Sequence, residues 1–252
     1  MDLVAKTFDV VRIHGTNAAQ ARGVVVVIDV LRAFTVSAYA LAGGARELLL
    51  VRGVEEALTL RDEAHPDALL AGEVGGRLIP GFDLNNSPAR MQSADVRDRL
   101  IIQRTGAGTQ GAVNARHASR LLVASLVNAR ATAAYAAHLA ETVGADQITL
   151  MPTAGPFEDG GRQTIEDEAC ADYLETLLAR RDDADAVLAR SIEQISAVEC
   201  SGVFLQGMED FPAGDVTAAL AANRFDFAME GERHTLGEIA YIKVRRVDVN
   251  PD

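Results

Sequence analysis

Four valines and an isoleucine lead directly into an aspartate in "VVVVID", residues 24–29. A continuous apolar run of this length, rich in β-branched residues, reads as a strand buried on both faces. The pattern recurs. "ELLLV" (47–51), "ALLAGE" (68–73), "RLIIQ" (99–103), "RLLVASL" (120–126) and "QITLMP" (147–152) are further apolar runs. They alternate with helix-forming segments: "LRAFTVSAYALAGG", "GVEEALTLRDEA" and "NARATAAYAAHLAETV". This rhythm predicts an α/β protein in three layers, α/β/α, with a mostly parallel but mixed sheet. "SPARMQ" reads as a short helix with Ser87 as N-cap and Pro88 at its first position. From Ile165 onward the chain reads as mostly helical, until "RFDFAM" and "IAYIKVRRV" supply two last strands. Residues 1–252 are read as one catalytic unit, with a division into two lobes after about residue 126 as the alternative.

Composition narrows the partners. The 252 residues are 48% hydrophobic, enough for a substantial core. The net charge of −12 argues against nucleic acid as a partner. No apolar run reaches the roughly 18–20 residues of a membrane span. "MDLVAKTFDVV" lacks the basic and apolar regions of a signal peptide. A cytoplasmic location is expected, with Cys170 and Cys200 as reduced thiols. Chains of this size are often homodimers, and that assembly is expected here without an identified interface. His14, His65, His117, His138 and His234 show no metal-ligand spacing.

In open α/β sheets, ligands bind beyond the carboxyl ends of strands. Five polar or glycine-rich segments follow predicted strands: "DVLRA" (29–33), "GEVGGRLIPGFDLNNSP" (72–88), "RTGAGTQG" (104–111), "SLVNA" (125–129) and "TAGPFEDGGRQTIEDEACA" (153–171). The third carries Gly106, Gly108 and Gly111 at dinucleotide-loop spacing. That fingerprint also needs an acid about 20 residues on, to hold a ribose hydroxyl. The next acid after Gly111 is Glu141, inside a helix, so a dinucleotide-dependent oxidoreductase is the weaker alternative. A cradle for a small phosphate or carboxylate fits better, with loop amides joined by Arg104, Thr105 and Thr109. A purely structural turn is the third reading.

Asp29 ends a buried strand, where an unpaired carboxylate is costly. It is either an N-cap or a functional acid, and Arg32 can reach the same mouth. In "TIEDEACADYLETLLAR", helical periodicity buries Cys170, Tyr173, Leu174 and Leu177. Glu166 and Asp167 flank that stripe, while Glu168 aligns with Asp172 and Glu175 on the wet face. Acids in a first turn ordinarily serve the helix dipole. Alternatively, Glu166 or Asp167 joins Asp29 and Glu73 around a divalent cation. Mg2+ suits such oxygen ligands and commonly binds through one or two carboxylates plus substrate phosphate.

Taken in order, "VVIDVLRAFT", "GEVGGRLIPGFDLNNSP", "RTGAGTQG", "SLVNA" and "IEDEACA" resemble the 2-phosphosulfolactate phosphatase family. The resemblance runs in register from about residue 24 to 180. It implies a Mg2+-dependent phosphatase that converts 2-phosphosulfolactate to 3-sulfolactate and phosphate, a step toward coenzyme M. Carried over by position, Asp29, Arg32 and Glu73 are the expected catalytic residues. Asp29, Glu166 and Asp167 are the expected metal ligands. Arg77, Asn85, Asn86, Arg104, Thr105, Gly106, Gly108, Thr109 and Gly111 are the expected substrate and phosphate contacts, with Asp83 beside them. A non-catalytic binder of a small phosphorylated acid is the remaining alternative. The region after Cys200, including "EGERHTLGEI", receives no role.

Overall fold

The buried runs become strands and the alanine-rich segments become helices in a computed structural model, which describes residues 8–153, 164–199, 204 and 208–249. In chain order the first half contains β1 (Asp9–Arg12), β2 (Val24–Ile28), α1 (Ala33–Ala42), β3 (Glu47–Val51), α2 (Val54–Ala64) and β4 (Leu69–Val74). Two short strands, β5 (Arg77–Leu78) and β6 (Leu84–Asn85), precede α3 (Pro88–Met91). Then come β7 (Leu100–Arg104), α4 (Gly108–Asn114), β8 (Arg120–Ala124), α5 (Ala129–Val143) and β9 (Gln147–Pro152). The last elements are α6 (Ile165–Leu178), α7 (Ala184–Glu199), α8 (Gly214–Ala219), β10 (Phe227–Leu236) and β11 (Ile239–Asp248).

One sheet contains all 11 strands, in the order β1-β9-β2-β8-β10-β11-β3-β7-β4-β5, with β6 also on β4. β1, β9, β2 and β8 are parallel to one another, and β3, β7, β4 and β6 form a second parallel set. The antiparallel β10–β11 hairpin separates them, pairing with β8 on one side and β3 on the other. Helices cover both faces. Val25, Val27, Leu48, Leu50 and Ile101 face the layer that includes Phe34 and Val36 of α1 and Ala112 of α4. On the opposite face, Val24, Val26 and Ile28 pack on α5 and α6, and Leu49 and Leu70 pack on α2. Each fully buried aliphatic side chain contributes up to about 1.5–3 kcal/mol.

Three antiparallel pairings across the hairpin give the two parallel sets opposite senses. On a flat sheet their carboxyl ends would lie at opposite edges. Strand-to-strand twist of roughly 20–25° changes this, because five steps separate β2 from β7 and together turn the strand direction by over 100°. The ends of β2, β4, β7 and β9 meet: Asp29 after β2 touches Gly108 after β7, Glu73 of β4 binds Gly106, and Thr153 after β9 binds Asp167, whose other oxygen takes the Val30 N–H. For the described residues, the loops after these strands therefore meet by curvature, not by simple parallel order.

The strand expected at "RFDFAM" starts later, at Phe227, and runs through "EGERHTL" to Leu236. Its charged residues fit because an antiparallel hairpin can leave one face in water. Gly237, at φ 55°, closes its turn. β1 has no counterpart in the sequence reading. Among the described residues, no helix is long and apolar enough to cross a membrane. Cys170 is buried with a free thiol whose pKa burial pushes well up, the profile of an inert structural cysteine. Cys200, residues 1–7 and residues 154–163 of the fifth loop lie outside the described residues.

Candidate active site

Asp29 emerges from β2 into the angle between α1 and α4. Its Oδ1 accepts the Ala33 N–H at 2.8 Å, and its main-chain carbonyl accepts the Phe34 N–H at 3.1 Å. Arg32 and not Asp29 is the N-cap of α1, although the Asp29 carboxylate still binds the first helical N–H. Oδ2 lies against Gly108, at a distance of 2.6 Å from where a Cβ would stand. Burial pushes the Asp29 carboxyl up to about 6, and the charge of Glu73 adds to the rise. The amides of Ala33 and Gly108 and the charge of Arg32 oppose it.

Asp167 reaches the same place from the first turn of α6. Its Oδ1 accepts the Val30 N–H at 2.7 Å, and its Oδ2 accepts the Thr153 hydroxyl at 3.2 Å. Burial, then the charge of Asp29, then that of Glu166, hold the Asp167 carboxyl well above the usual range. Glu166 and Asp167 are both buried, whereas Glu168, Asp172 and Glu175 all pair with Arg12 near the surface. The periodicity of α6 divides its acids as expected.

Glu73 behaves differently. Its two carboxylate oxygens accept the Gly106 N–H at 2.5 Å and the Gly76 N–H at 2.7 Å. It ties the glycine loop to the β4–β5 turn. The loop amides of Gly106 and Gly108 are therefore directed at the protein's own carboxylates, which leaves little of an open cradle for dinucleotide or phosphate. Thr105 and Thr109 are closed on each other, with N–H to hydroxyl bonds of 2.9 and 3.1 Å. Gly111 serves packing against Thr153 and Val27.

A Cβ at Gly108 would also stand 2.8 Å from the Ala33 Cβ. Alanine normally favours a helix over glycine by about 1 kcal/mol. At this position Gly108→Ala should instead destabilise by about 1–3 kcal/mol, through overpacking against Asp29. Urea denaturation reads the sign directly.

Of the three expected site arginines, Arg32 and Arg104 are held by the protein. Arg32, which follows a cis Leu31–Arg32 peptide, places Nη1 2.9 Å from Asp215 Oδ2 and donates to the carbonyls of Asp210 (2.6 Å) and Gly76 (2.8 Å). Its guanidinium lies 4.9 Å from the Phe211 ring centroid and 5.7 Å from that of Phe204. Arg104 donates to the carbonyls of Glu73 at 2.7 Å and Arg52 at 3.2 Å. Arg77 is exposed on β5, beside Val74 at the rim.

The segment after Cys200, given no role from sequence, completes this framework. Asp210 accepts the Asn85 side-chain amide at 2.7 Å and the Leu78 N–H at 3.1 Å. Asp215 accepts the Ser87 hydroxyl at 2.6 Å and the Ala89 N–H at 3.1 Å. "GFDLNNSP" is thereby a docking surface for residues 208–215. Within it, exposed Asp83 accepts the Leu70 N–H at 2.8 Å. Asn86 is buried, and its Oδ1 has no hydrogen-bond partner.

Asp29 and Asp167 are thus two adjacent buried carboxylates, and neither forms an ion pair among the described residues. Each of their oxygens keeps a second lone pair beyond the bond described. This donor set fits a hard divalent cation, which would remove the mutual repulsion. Among the described residues, no group of three or more His, Cys, Asp or Glu side chains is placed to hold a metal ion, so Asp29, Glu166 and Asp167 are not brought together as a three-acid ligand set.

Comparison with known proteins agrees with this arrangement of motifs. A family model described as 2-phosphosulpholactate phosphatase matches residues 10–203. The chain belongs to the 2-phosphosulfolactate phosphatase family. The family is one of phosphoric monoester hydrolases by its description. A probable 2-phosphosulfolactate phosphatase of Bacillus subtilis (strain 168) is 35% identical over 219 residues, covering 86% of this chain and 90% of its own. The similarly named protein of Deinococcus radiodurans is 43% identical over 161 residues, 63% of each chain. That of Thermus thermophilus is 46% identical over 129 residues, 51% of this chain and 52% of its own. Asp29, Glu73, Glu166 and Asp167 fall inside the span matched by the phosphatase family model, whereas Asp210 and Asp215 lie beyond it.

Proposed function

We propose that this chain hydrolyses the phosphate monoester of a small 2-phospho acid, with 2-phosphosulfolactate as substrate and 3-sulfolactate and phosphate as products. The carrying observation is the buried pair of Asp29, at the end of β2, and Asp167, in the first turn of α6, neither with an ion-pair partner among the described residues. The names of the relatives supply the substrate. We further propose that Asp29 and Asp167, with Glu166 beside them, hold Mg2+. When bound, the ion neutralises phosphoryl oxygens and acts as a Lewis acid.

The chain's own groups set the geometry. The amides of Ala33 and Gly108 fix the Asp29 carboxylate, so its remaining lone pairs face the site. Glu73 fixes the glycine loop beside it. Arg104 is engaged with main-chain carbonyls, which leaves Arg77 at the rim as the group for the substrate's carboxylate or sulfonate. Two routes satisfy this arrangement. Either water attacks phosphorus as the ester P–O bond breaks and the leaving alkoxide takes up the proton water gives up, or the Asp29 carboxylate displaces that alkoxide, which leaves protonated as the alcohol, and water then hydrolyses the aspartyl phosphate to phosphate and the free carboxylate. Rapid-quench trapping of an acyl phosphate distinguishes them.

The test is phosphate release from 2-phosphosulfolactate and other 2-phospho acids, with Mg2+ and with a chelator. Release that depends on Mg2+ is expected; ligand binding without release under any metal identifies a non-catalytic binder instead.

A second expectation concerns pH. The folded-state pKa of Asp29 is raised to about 6 from the ordinary carboxylate value of 3.8. Its contribution to stability is therefore complete below about pH 4 and is lost as pH rises through 6. A cation replaces the lost proton, so Mg2+ should raise the melting temperature more at pH 7.5 than at pH 5. Differential scanning fluorimetry at the two pH values measures this. An equal shift at both would remove Asp29 from the cation site.

A further inference from the structure

The β2–β8 ladder pairs Ile28 with Ala124, and the Asp29 N–H continues it to the Ala124 carbonyl at 3.1 Å. The next rung therefore sets Ser125 beside Asp29. Ser125 is extended, at φ −143° and ψ −177°, so strand alternation carries on through it. Val27 and Val123 face the α1–α4 layer, and Asp29 and Ser125, two residues further along each strand, face the same way. Ser125 is fully buried, and its hydroxyl has no hydrogen-bond partner.

A buried hydroxyl without a partner is a standing cost. The turn does not require it. Asn128 Oδ1 accepts the Ser125 N–H at 3.1 Å, and the Asn128 N–H reaches the Ser125 carbonyl at 3.3 Å. Ser125 is the N-cap of this turn in a capping box with Asn128, yet its side chain makes no cap hydrogen bond, so these backbone groups are satisfied without it. The hydroxyl is left as a donor on the face of the strand that Asp29 shares. The same relation recurs across the site. The β4–β6 ladder ends at Gly72 and Asn85, so its next rung sets Glu73 beside Asn86, whose buried Oδ1 is also without a partner.

We infer that Ser125 is a substrate-contacting residue, donating its hydroxyl to a phosphoryl oxygen held next to Asp29. This rests on the proposed phosphatase reading, but it makes a separate claim about where phosphate sits. In a buried site such a bond is strengthened by the low local dielectric.

The test compares wild type with Ser125→Ala. Removing an unpartnered hydroxyl should leave the melting temperature unchanged or raised, while kcat/KM for 2-phosphosulfolactate falls about 10- to 100-fold. Inorganic phosphate, titrated calorimetrically into both proteins with Mg2+ present, should bind more weakly to the variant by a similar factor. If wild type binds phosphate but releases none from any 2-phospho acid, the functional reading fails, and the phosphate titration alone judges Ser125. Phosphate affinity within twofold between the two proteins overturns the assignment, as does no phosphate binding by either. A fall in activity matched by a lower melting temperature, with phosphate affinity unchanged, assigns Ser125 to packing and overturns it equally.

Discussion

Asp29→Asn should reduce phosphate release by about 1,000-fold or more while the protein stays folded. The two effects separate because the substitution acts oppositely on stability and chemistry. Asparagine keeps one acceptor for the Ala33 or Gly108 N–H and loses the other, which costs about 1 kcal/mol. It also removes a buried charge that raises the Asp167 carboxyl and is itself raised by Glu73. These changes offset, so unfolding free energy should move by no more than about 1 kcal/mol. Turnover has no such offset, because the carboxylate is needed to hold the cation or attack phosphorus. Mg2+ should no longer raise the melting temperature appreciably. A steady-state phosphate assay beside a urea melt reads both. Activity within tenfold of wild type would place the chemistry elsewhere.

Asp215→Ala should be among the most damaging substitutions for stability, costing about 3–5 kcal/mol in a urea melt. Asp215 is wholly buried, and the Arg32 side chain opposite it is 4% exposed. Removing the acid strands a charged guanidinium between Phe204 and Phe211 and leaves the Ser87 hydroxyl and Ala89 N–H without their acceptor. Arg12 offers the contrast. It meets three acids, Glu168, Asp172 and Glu175, but the acids are 25–59% exposed. Water screens those pairs, and Arg12→Ala should cost about 1 kcal/mol or less. Equal losses at the two positions would show that burial does not govern these ion pairs.

How far the sequence could be read follows from the range of the forces involved. Local patterns were legible: the apolar runs place β2, β3, β7 and β9 within a residue or two, and Ser87 caps α3 as its type suggests. Periodicity separated buried Glu166 and Asp167 from Glu168, Asp172 and Glu175. What escaped depended on contacts between distant segments. "GMEDFPAGD" has the composition of a loop, and nothing within it shows that Asp210 and Asp215 meet Asn85 and Ser87 over 100 residues away. Arg32 looked available for an anion because its acid partner comes 183 residues later. The glycine loop offered amides, but only the fold shows that Glu73 and Asp29 reach them first. Of the hairpin between the parallel sets, the second strand was legible in "IAYIKVRRV", but the length of the first, through "EGERHTL", was not. Its alternating charged residues suit a half-solvated strand as well as a polar loop.

The most direct measurement of the central claim is anomalous diffraction from crystals soaked in Mn2+, as a substitute for Mg2+. A difference peak shared by the carboxylates of Asp29 and Asp167, lost in Asp29→Asn crystals, is the predicted result. A peak only among Glu168, Asp172 and Glu175, or a peak that persists at its place in the Asp29→Asn crystals, would contradict it.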